Sequence, residues 1–191
     1  MYEIRLHGRG GQGTVTAANL LAHALVEEGK HVVAIPSFGF ERRGAPVAAF
    51  LRFDDAPIRR MTNIYEPDCI VCIDPTVARA VNIFDGIREH AALVQATRKP
   101  LGELSLPERV ARVGLCDAVG IALEIFRRPI TNTIMLGAFA KTTGLVRLES
   151  LQAALRAEGG LRDAALEQNL AALARGHEAT AVHTIERRAA A

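Results

Sequence analysis

Apolar and polar positions alternate at the start of the chain. Tyr2, Ile4 and Leu6 are separated by Glu3, Arg5 and His7, the period of a strand with one covered face. A glycine-rich turn follows from Gly8 to Gly13. From Thr14 to Gly29 the apolar positions Val15, Ala18, Leu21, Ala22 and Leu25 recur at three- and four-residue steps, which predicts an amphipathic helix closed by Gly29. Val32 to Ile35 is an unbroken apolar run, as expected of a parallel strand covered on both faces. The first 35 residues therefore predict a βαβ unit.

Residues 36–46 interrupt this rhythm with two glycines, two prolines and three adjacent charges. A long ordered loop inside a compact domain is usually functional. Val47 to Phe53 reads as a strand in a hairpin or at an edge, and Asp68 to Asp74 as a buried strand. A helix is expected from Pro75 to about Phe84, a strand over Ala91–Gln95 and a short strand near Val110–Leu115. Helices are expected at 117–127, at 132–143 with Gly144 closing it, and at 148–157 and 161–175. The tail 177–191 is expected to fray. This alternation predicts a three-layer, Rossmann-like α/β domain over residues 1–176, with a mostly parallel sheet, an added hairpin or edge strand and C-terminal helices.

Composition narrows the function more than the fold. With 23 Lys and Arg against 21 Asp and Glu, the net charge of +2 is too weak to argue for nucleic acid or a membrane surface. Aromatics are 5% and Trp is absent, which argues against single-strand binding on stacking platforms. No apolar run reaches the length of a membrane span, and the short, charged start of the chain reads as neither a signal nor a transit peptide. Three cysteines make no disulfide framework, so a reducing cytoplasm is the expected compartment.

Gly8-Arg9-Gly10-Gly11-Gln12-Gly13 satisfies G-x-G-x-x-G between a strand and a helix. Glycines there allow the tight turn and let a phosphate approach the amides at the helix start. A dinucleotide site also wants an acid at the end of the second strand, which here ends Ile35-Pro36-Ser37. Glu27 and Glu28 come too early, and Glu41 too late. Two readings stand: a bound dinucleotide, with Arg42 and Arg43 meeting an NADP 2′-phosphate, or glycines that only allow a close turn and close packing against a partner. The missing acid favours the second.

Cys69-x-x-Cys72 lies in a strand-like run. Residues three apart on a strand face opposite ways, so the pair can neither chelate one ion nor form a disulfide, and one further cysteine is too few for a four-thiolate cluster. Buried, inert thiols are the expectation. His7 is the one histidine beside the glycine turn and so near a site, but a satisfied structural histidine is the favoured reading. Asp74-Pro75-Thr76 reads either as a ligand-facing strand end or as a helix cap, and Asn132-Thr133 as a cap.

Together, Gly8-Arg-Gly-Gly-Gln-Gly13, Pro36-Ser-Phe-Gly-Phe-Glu-Arg-Arg-Gly-Ala-Pro46, Ile73-Asp-Pro75, Asn132-Thr-Ile-Met-Leu-Gly-Ala138 and Glu167-Gln-Asn169 resemble one family. It is the gamma subunit of the thiamine-diphosphate-dependent 2-oxoacid:ferredoxin oxidoreductases, and the resemblance runs from residue 1 to about 176. It implies a subunit of a complex that converts a 2-oxoacid, pyruvate by default, and coenzyme A into acyl-CoA and carbon dioxide, with electrons passed to ferredoxin or a similar acceptor. Thiamine diphosphate would sit in alpha and beta partner subunits and iron–sulfur clusters in a delta-type partner, with no cofactor held by this chain alone. The resemblance further implies that the subunit packs beside the thiamine site and accommodates coenzyme A. The residues facing that ligand or a partner would be Gly8, Arg9, Gly10, Gly11, Gln12 and Gly13, with Ser37, Phe38, Gly39, Glu41, Arg42, Arg43 and Gly44. A free-standing NAD(P)-binding reductase or sensor is the competing expectation.

Overall fold

The computed structural model describes residues 1–37, 44–158, 160 and 163–186. Among these residues, seven strands form one sheet: β1 (Tyr2–Arg9), β2 (His31–Ser37), β3 (Pro46–Asp54), β4 (Cys69–Cys72), β5 (Ala91–Ala96), β6 (Val110–Cys116) and β7 (Ala181–Thr184). Their order is β2-β3-β1-β4-β5-β6-β7. β1, β4, β5 and β6 pair in parallel, whereas β3 and β7 run against their neighbours. Five helices among the described residues accompany it: α1 (Thr14–Glu27), α2 (Ala118–Phe126), α3 (Asn132–Thr143), α4 (Leu148–Ala157) and α5 (Asp163–Ala179).

Ile4, Leu6, Cys69, Val71 and Ile73 point into a core shared with all five helices. Alternate residues Ile70, Cys72, Leu93, Val113 and Leu115 point the other way, into a second core closed by Val77, Ile83 and Ile87. The third layer on that side is thus made of connecting segments and short 3-10 turns. α3 is buried almost all round, as a helix between a sheet and another helix must be. It crosses α5 at two glycines. A Cβ on Gly137 would strike the Leu173 carbonyl oxygen, and one on Gly176 the Ile134 carbonyl oxygen, so backbone touches backbone there.

Several expectations are corrected. Val32–Ile35 is not a doubly covered parallel strand. β2 is an edge strand that pairs only with β3, antiparallel, and is half-buried. The first βαβ unit is opened: β1 and β2 run the same way, but β3 lies between them. The helix expected from Pro75 to Phe84 is one 3-10 turn, Pro75–Arg79. The tail expected to fray from 177 continues α5 to Ala179, and β7 then pairs with β6 through Thr184. The cysteine expectation holds: Cys69 and Cys72 are buried on opposite faces.

The polar half of β1 departs furthest from the pattern. Glu3, Arg5 and His7 are buried, with Arg52 opposite Glu3 on β3. Arg52 Nε donates to Glu3 Oε1 at 3.0 Å, and Arg88 Nη2 donates to Glu3 Oε2 at 2.8 Å. Arg88 Nη1 also reaches Asp68, whose Oδ2 accepts the Glu3 amide at 2.8 Å. Removing one partner of a buried pair strands the other charge, at a cost of about 3–5 kcal/mol. Glu3→Ala is therefore expected to lower stability by that order in urea unfolding. Burial pushes the Cys72 thiol up to about 12 and raises that of Cys69 as well. Both should resist alkylation in the native protein and react only on unfolding; rapid native labelling would contradict the strand geometry.

Candidate functional site

The glycine turn leaves β1 at Arg9 and enters α1 at Thr14. Gly13 caps the helix in the left-handed region, φ 74°, and no side chain caps the first amides. Those orphan amides and the positive end of the helix dipole favour an anion, and the first turn holds no acidic residue to compete. A small cleft of about 140 Å³ opens here, lined by Arg9, Gly10, Gly11, Gly13, Thr14, Val15 and Val47.

The turn is held from two sides. The Gly10 amide donates to the Ala45 carbonyl at 2.9 Å, and the Gly44 amide to the Gly10 carbonyl at 3.2 Å. Arg9 spans the gap: Nη1 donates to the Gly44 carbonyl at 2.9 Å, and Nε and Nη2 to the Thr76 hydroxyl and carbonyl at 2.8 and 2.9 Å. Gln12 accepts the Arg9 amide at 2.7 Å and donates to Asp74 Oδ2 at 2.7 Å. Asp74 Oδ1 accepts the Thr76 amide at 2.8 Å. Burial pulls the Asp74 carboxyl up, but hydrogen bonds from Gln12 and Thr76 and the nearby Arg9 guanidinium outweigh it, so it stays below its ordinary value.

The cap reading of Asp74 holds, since it caps the turn after β4, and its other oxygen braces the glycine turn through Gln12. Arg9 and Gln12 are braces, with their polar groups engaged within the chain. Ser37 ends β2 opposite Ala48. Phe38, Gly39, Glu41, Arg42 and Arg43 lie outside the described residues.

Asn132 does not cap α3. Its side chain lies over Gly13, so close that a Cβ there would come 2.5 Å from its Nδ2. Thr133 donates to Asn169 Oδ1 at 2.9 Å, and Thr131 donates to the Ile73 carbonyl at 3.5 Å. Gly13 and Asn132, 119 residues apart in sequence, thus meet at the start of α1. Thr14 Oγ1 and Asn132 Oδ1 are buried without a hydrogen-bond partner among the described residues. A hydroxyl residue just after a glycine turn is a signal for Thr14; nothing local marks Asn132 as a neighbour of Gly13.

A family model described as pyruvate ferredoxin/flavodoxin oxidoreductase matches residues 3–179. The chain belongs to this family. It is 65% identical over 191 residues, the full length of both proteins, to a protein named NADH-dependent phenylglyoxylate dehydrogenase subunit gamma from Aromatoleum evansii. It is 54% identical over 158 residues, 82% of this chain and 85% of the relative, to the pyruvate/ketoisovalerate oxidoreductases common subunit gamma of Thermococcus kodakarensis. The crystal structure of the pyruvate oxidoreductase subunit PORC from Thermotoga maritima superposes with a TM-score of 0.80 at 35% identity, covering 95% of this chain and 97% of that one. This family member is accordingly a gamma subunit of a multi-subunit 2-oxoacid oxidoreductase. The free-standing NAD(P)-binding alternative finds no support. No helix among the described residues is long and apolar enough to cross a membrane.

His7 is a satisfied structural residue, as expected, and faces the opposite side of the sheet from the glycine turn, where its Nε2 accepts from Arg5 Nε at 3.0 Å. Burial, reinforced by the Arg5 charge, lowers its pKa from 6.5 to about 4, so it is neutral at physiological pH. A depressed folded-state pKa contributes stability above 6.5 that is lost as pH falls towards 4, because the unfolded chain takes up the proton first. His7→Gln keeps an acceptor for Arg5 and is expected to flatten stability against pH in that window. Equal slopes for the variant and the wild type in denaturant titrations would contradict this.

Proposed function

We propose that this gamma subunit serves an aryl-2-oxoacid oxidoreductase, and that its part in the complex is assembly and the accommodation of coenzyme A. The observation that carries the substrate class is the 65% identity, over the full length of both proteins, to the gamma subunit named for phenylglyoxylate. In this reading the complex takes a 2-oxoacid anion and coenzyme A thiol to acyl-CoA, carbon dioxide, one proton and two electrons. NAD+ takes up those electrons and the proton as NADH. Thiamine diphosphate is held by alpha and beta subunits and iron–sulfur clusters by a delta-type subunit, in the cytoplasm.

The part assigned to this chain rests on two arguments. The Thermococcus kodakarensis relative is named as a subunit common to pyruvate and ketoisovalerate enzymes. A subunit shared between different acids is suited to what those reactions have in common, and coenzyme A is the shared co-substrate. The start of α1 fits one of its phosphates: uncapped amides, no competing acid and a cleft beside Thr14. The cleft is too small for a whole dinucleotide. Arg9, Gly10, Gly11 and Gly13 line it, and the guanidinium groups of Arg42 and Arg43, in the Ser37–Gly44 stretch of sequence, are of the kind suited to the remaining phosphates. The three cysteines do not suit an iron–sulfur cluster, since Cys69 and Cys72 face apart and all three are buried. Among the described residues, no group of three His, Cys, Asp or Glu could hold a metal ion.

Tagging the chain in its native host is expected to recover the partner subunits in a complex that oxidises phenylglyoxylate in preference to pyruvate. Pyruvate turned over faster would overturn the substrate assignment. Val15→Asp adds an acid to the first turn, which favours the helix by about 0.3–1 kcal/mol yet repels a phosphate. It should raise the KM for coenzyme A about tenfold, a penalty of about 1.4 kcal/mol, and leave the KM for the acid unchanged. Arg42→Ala with Arg43→Ala should act in the same direction. Unaltered coenzyme A kinetics in both variants would remove that ligand from this loop.

A further inference from the structure

The far face of β1 carries a second, larger cavity of about 320 Å³, with Arg5 and His7 in its floor and Phe50, Tyr65, Val81 and Asn82 in its walls. Arg5 is 7% exposed, and it is held differently from the buried Arg52 and the half-buried Arg88. Arg52 and Arg88 each meet a carboxylate. Arg5 donates only to neutral acceptors: His7 Nε2 at 3.0 Å, the Ile83 carbonyl at 2.8 Å and the Asp85 carbonyl at 2.7 Å. Among the described residues it has no ion-pair partner. The Asp85 side chain is exposed at the rim and acts on Arg5 only from beyond ion-pair distance. His7 Nε2 accepts from Arg5, so the neutral ring carries its proton on Nδ1 and offers a further donor.

A buried cation with no ion-pair partner among the described residues, at the base of a cavity with apolar walls, suits a carboxylate on an apolar body. The mouth indicates where that group comes from. Tyr65 is 72% exposed and Val81 39%, and Met61, in the same connecting segment as Tyr65, is 69% exposed. Large apolar and aromatic side chains left in water around a deep polar anchor are the composition of a protein interface. We propose that this cavity is a socket for a carboxylate side chain of another subunit of the complex. The proposal rests on the chain's place in a multi-subunit enzyme and is independent of which acid that enzyme oxidises.

The test changes charge at the rim and leaves the floor intact. In the complex reassembled from all subunits, the dissociation constant of this chain is measured at low and high salt. Asn82→Asp keeps the acceptor for the Phe84 amide, now at 3.1 Å, while adding a negative charge to the wall. It is expected to weaken association about tenfold, since like charges at an interface are costly. Asp85→Asn removes a negative charge and is expected to strengthen association several-fold. Both effects should shrink as salt rises. Opposite shifts that fade with salt support the socket. Any other combination overturns it, including unchanged association with altered turnover, as a free organic acid in the cavity would give. Loss of the socket would leave the coenzyme A response of Val15→Asp untouched, so the two readings fail separately.

Discussion

A guanidinium group that is 1% exposed must be given a partner, and Arg52 finds it in Glu3. Because the two residues sit opposite each other, that need also sets the register of β3 on β1. A slip of one residue would put Arg52 among the apolar side chains facing α1 and leave Glu3 without its partner. From this fixed pair the ladder runs six residues further, to Arg9 opposite Pro46. That end delivers Gly44 and Ala45 to the glycine turn, where their backbone groups exchange hydrogen bonds with Gly10 and accept from Arg9. An ion pair at one end of the strand thus positions a turn at the other.

The turn needs a second anchor, which comes through β4. Parallel pairing of His7 with Cys72 carries the chain past the end of β1, so Asp74 and Thr76 arrive beside Arg9 and Gln12. Asn132 then closes the third side over Gly13. With Arg9, Gln12 and Asp74 satisfied by one another, the polar groups left over are the first amides of α1 and the Thr14 and Asn132 oxygens. A site assembled this way spends its conspicuous side chains on rigidity and leaves backbone for recognition.

Much of the fold is legible locally because its helices follow their own period. α3 ends at Thr143 with Gly144 in the left-handed cap, and α4 spans Leu148–Ala157, both as their apolar spacing and glycine stop indicate. What fails depends on neighbours distant in sequence. Val32–Ile35 has the composition of a central strand, yet β3 occupies the place beside β1 and leaves β2 at the edge. The polarity of Glu3, Arg5 and His7 suggests a wetted face, but Arg52 and Arg88 answer the Glu3 charge, and His7 and the Ile83 and Asp85 carbonyls hold Arg5. The segment after Pro75 begins like a helix; only its first turn forms, and the chain then folds back across the sheet to close the second core with Ile83 and Ile87. At the site, the glycine turn is visible in sequence, while the Asn132–Gly13 approach depends on α3 being lodged between sheet and α5, a fact of packing.

β1 therefore faces two environments at once. Towards the helices its end becomes a turn whose charges are all answered, and what remains is a neutral cradle with a weak preference for anions. Towards the connecting segments Arg5 keeps its full charge among neutral acceptors. Holding a cation that has no ion-pair partner among the described residues costs stability, and the cost is limited because the carbonyls of Ile83 and Asp85 and the neutral His7 ring replace part of its hydration. His7 can do so only while unprotonated, which its burial and the adjacent Arg5 charge ensure. The neutrality of the histidine and the exposure of the arginine's charge to the cavity are consequently one arrangement: protonating His7 would set two cations 3.0 Å apart and remove an acceptor that holds Arg5 in place.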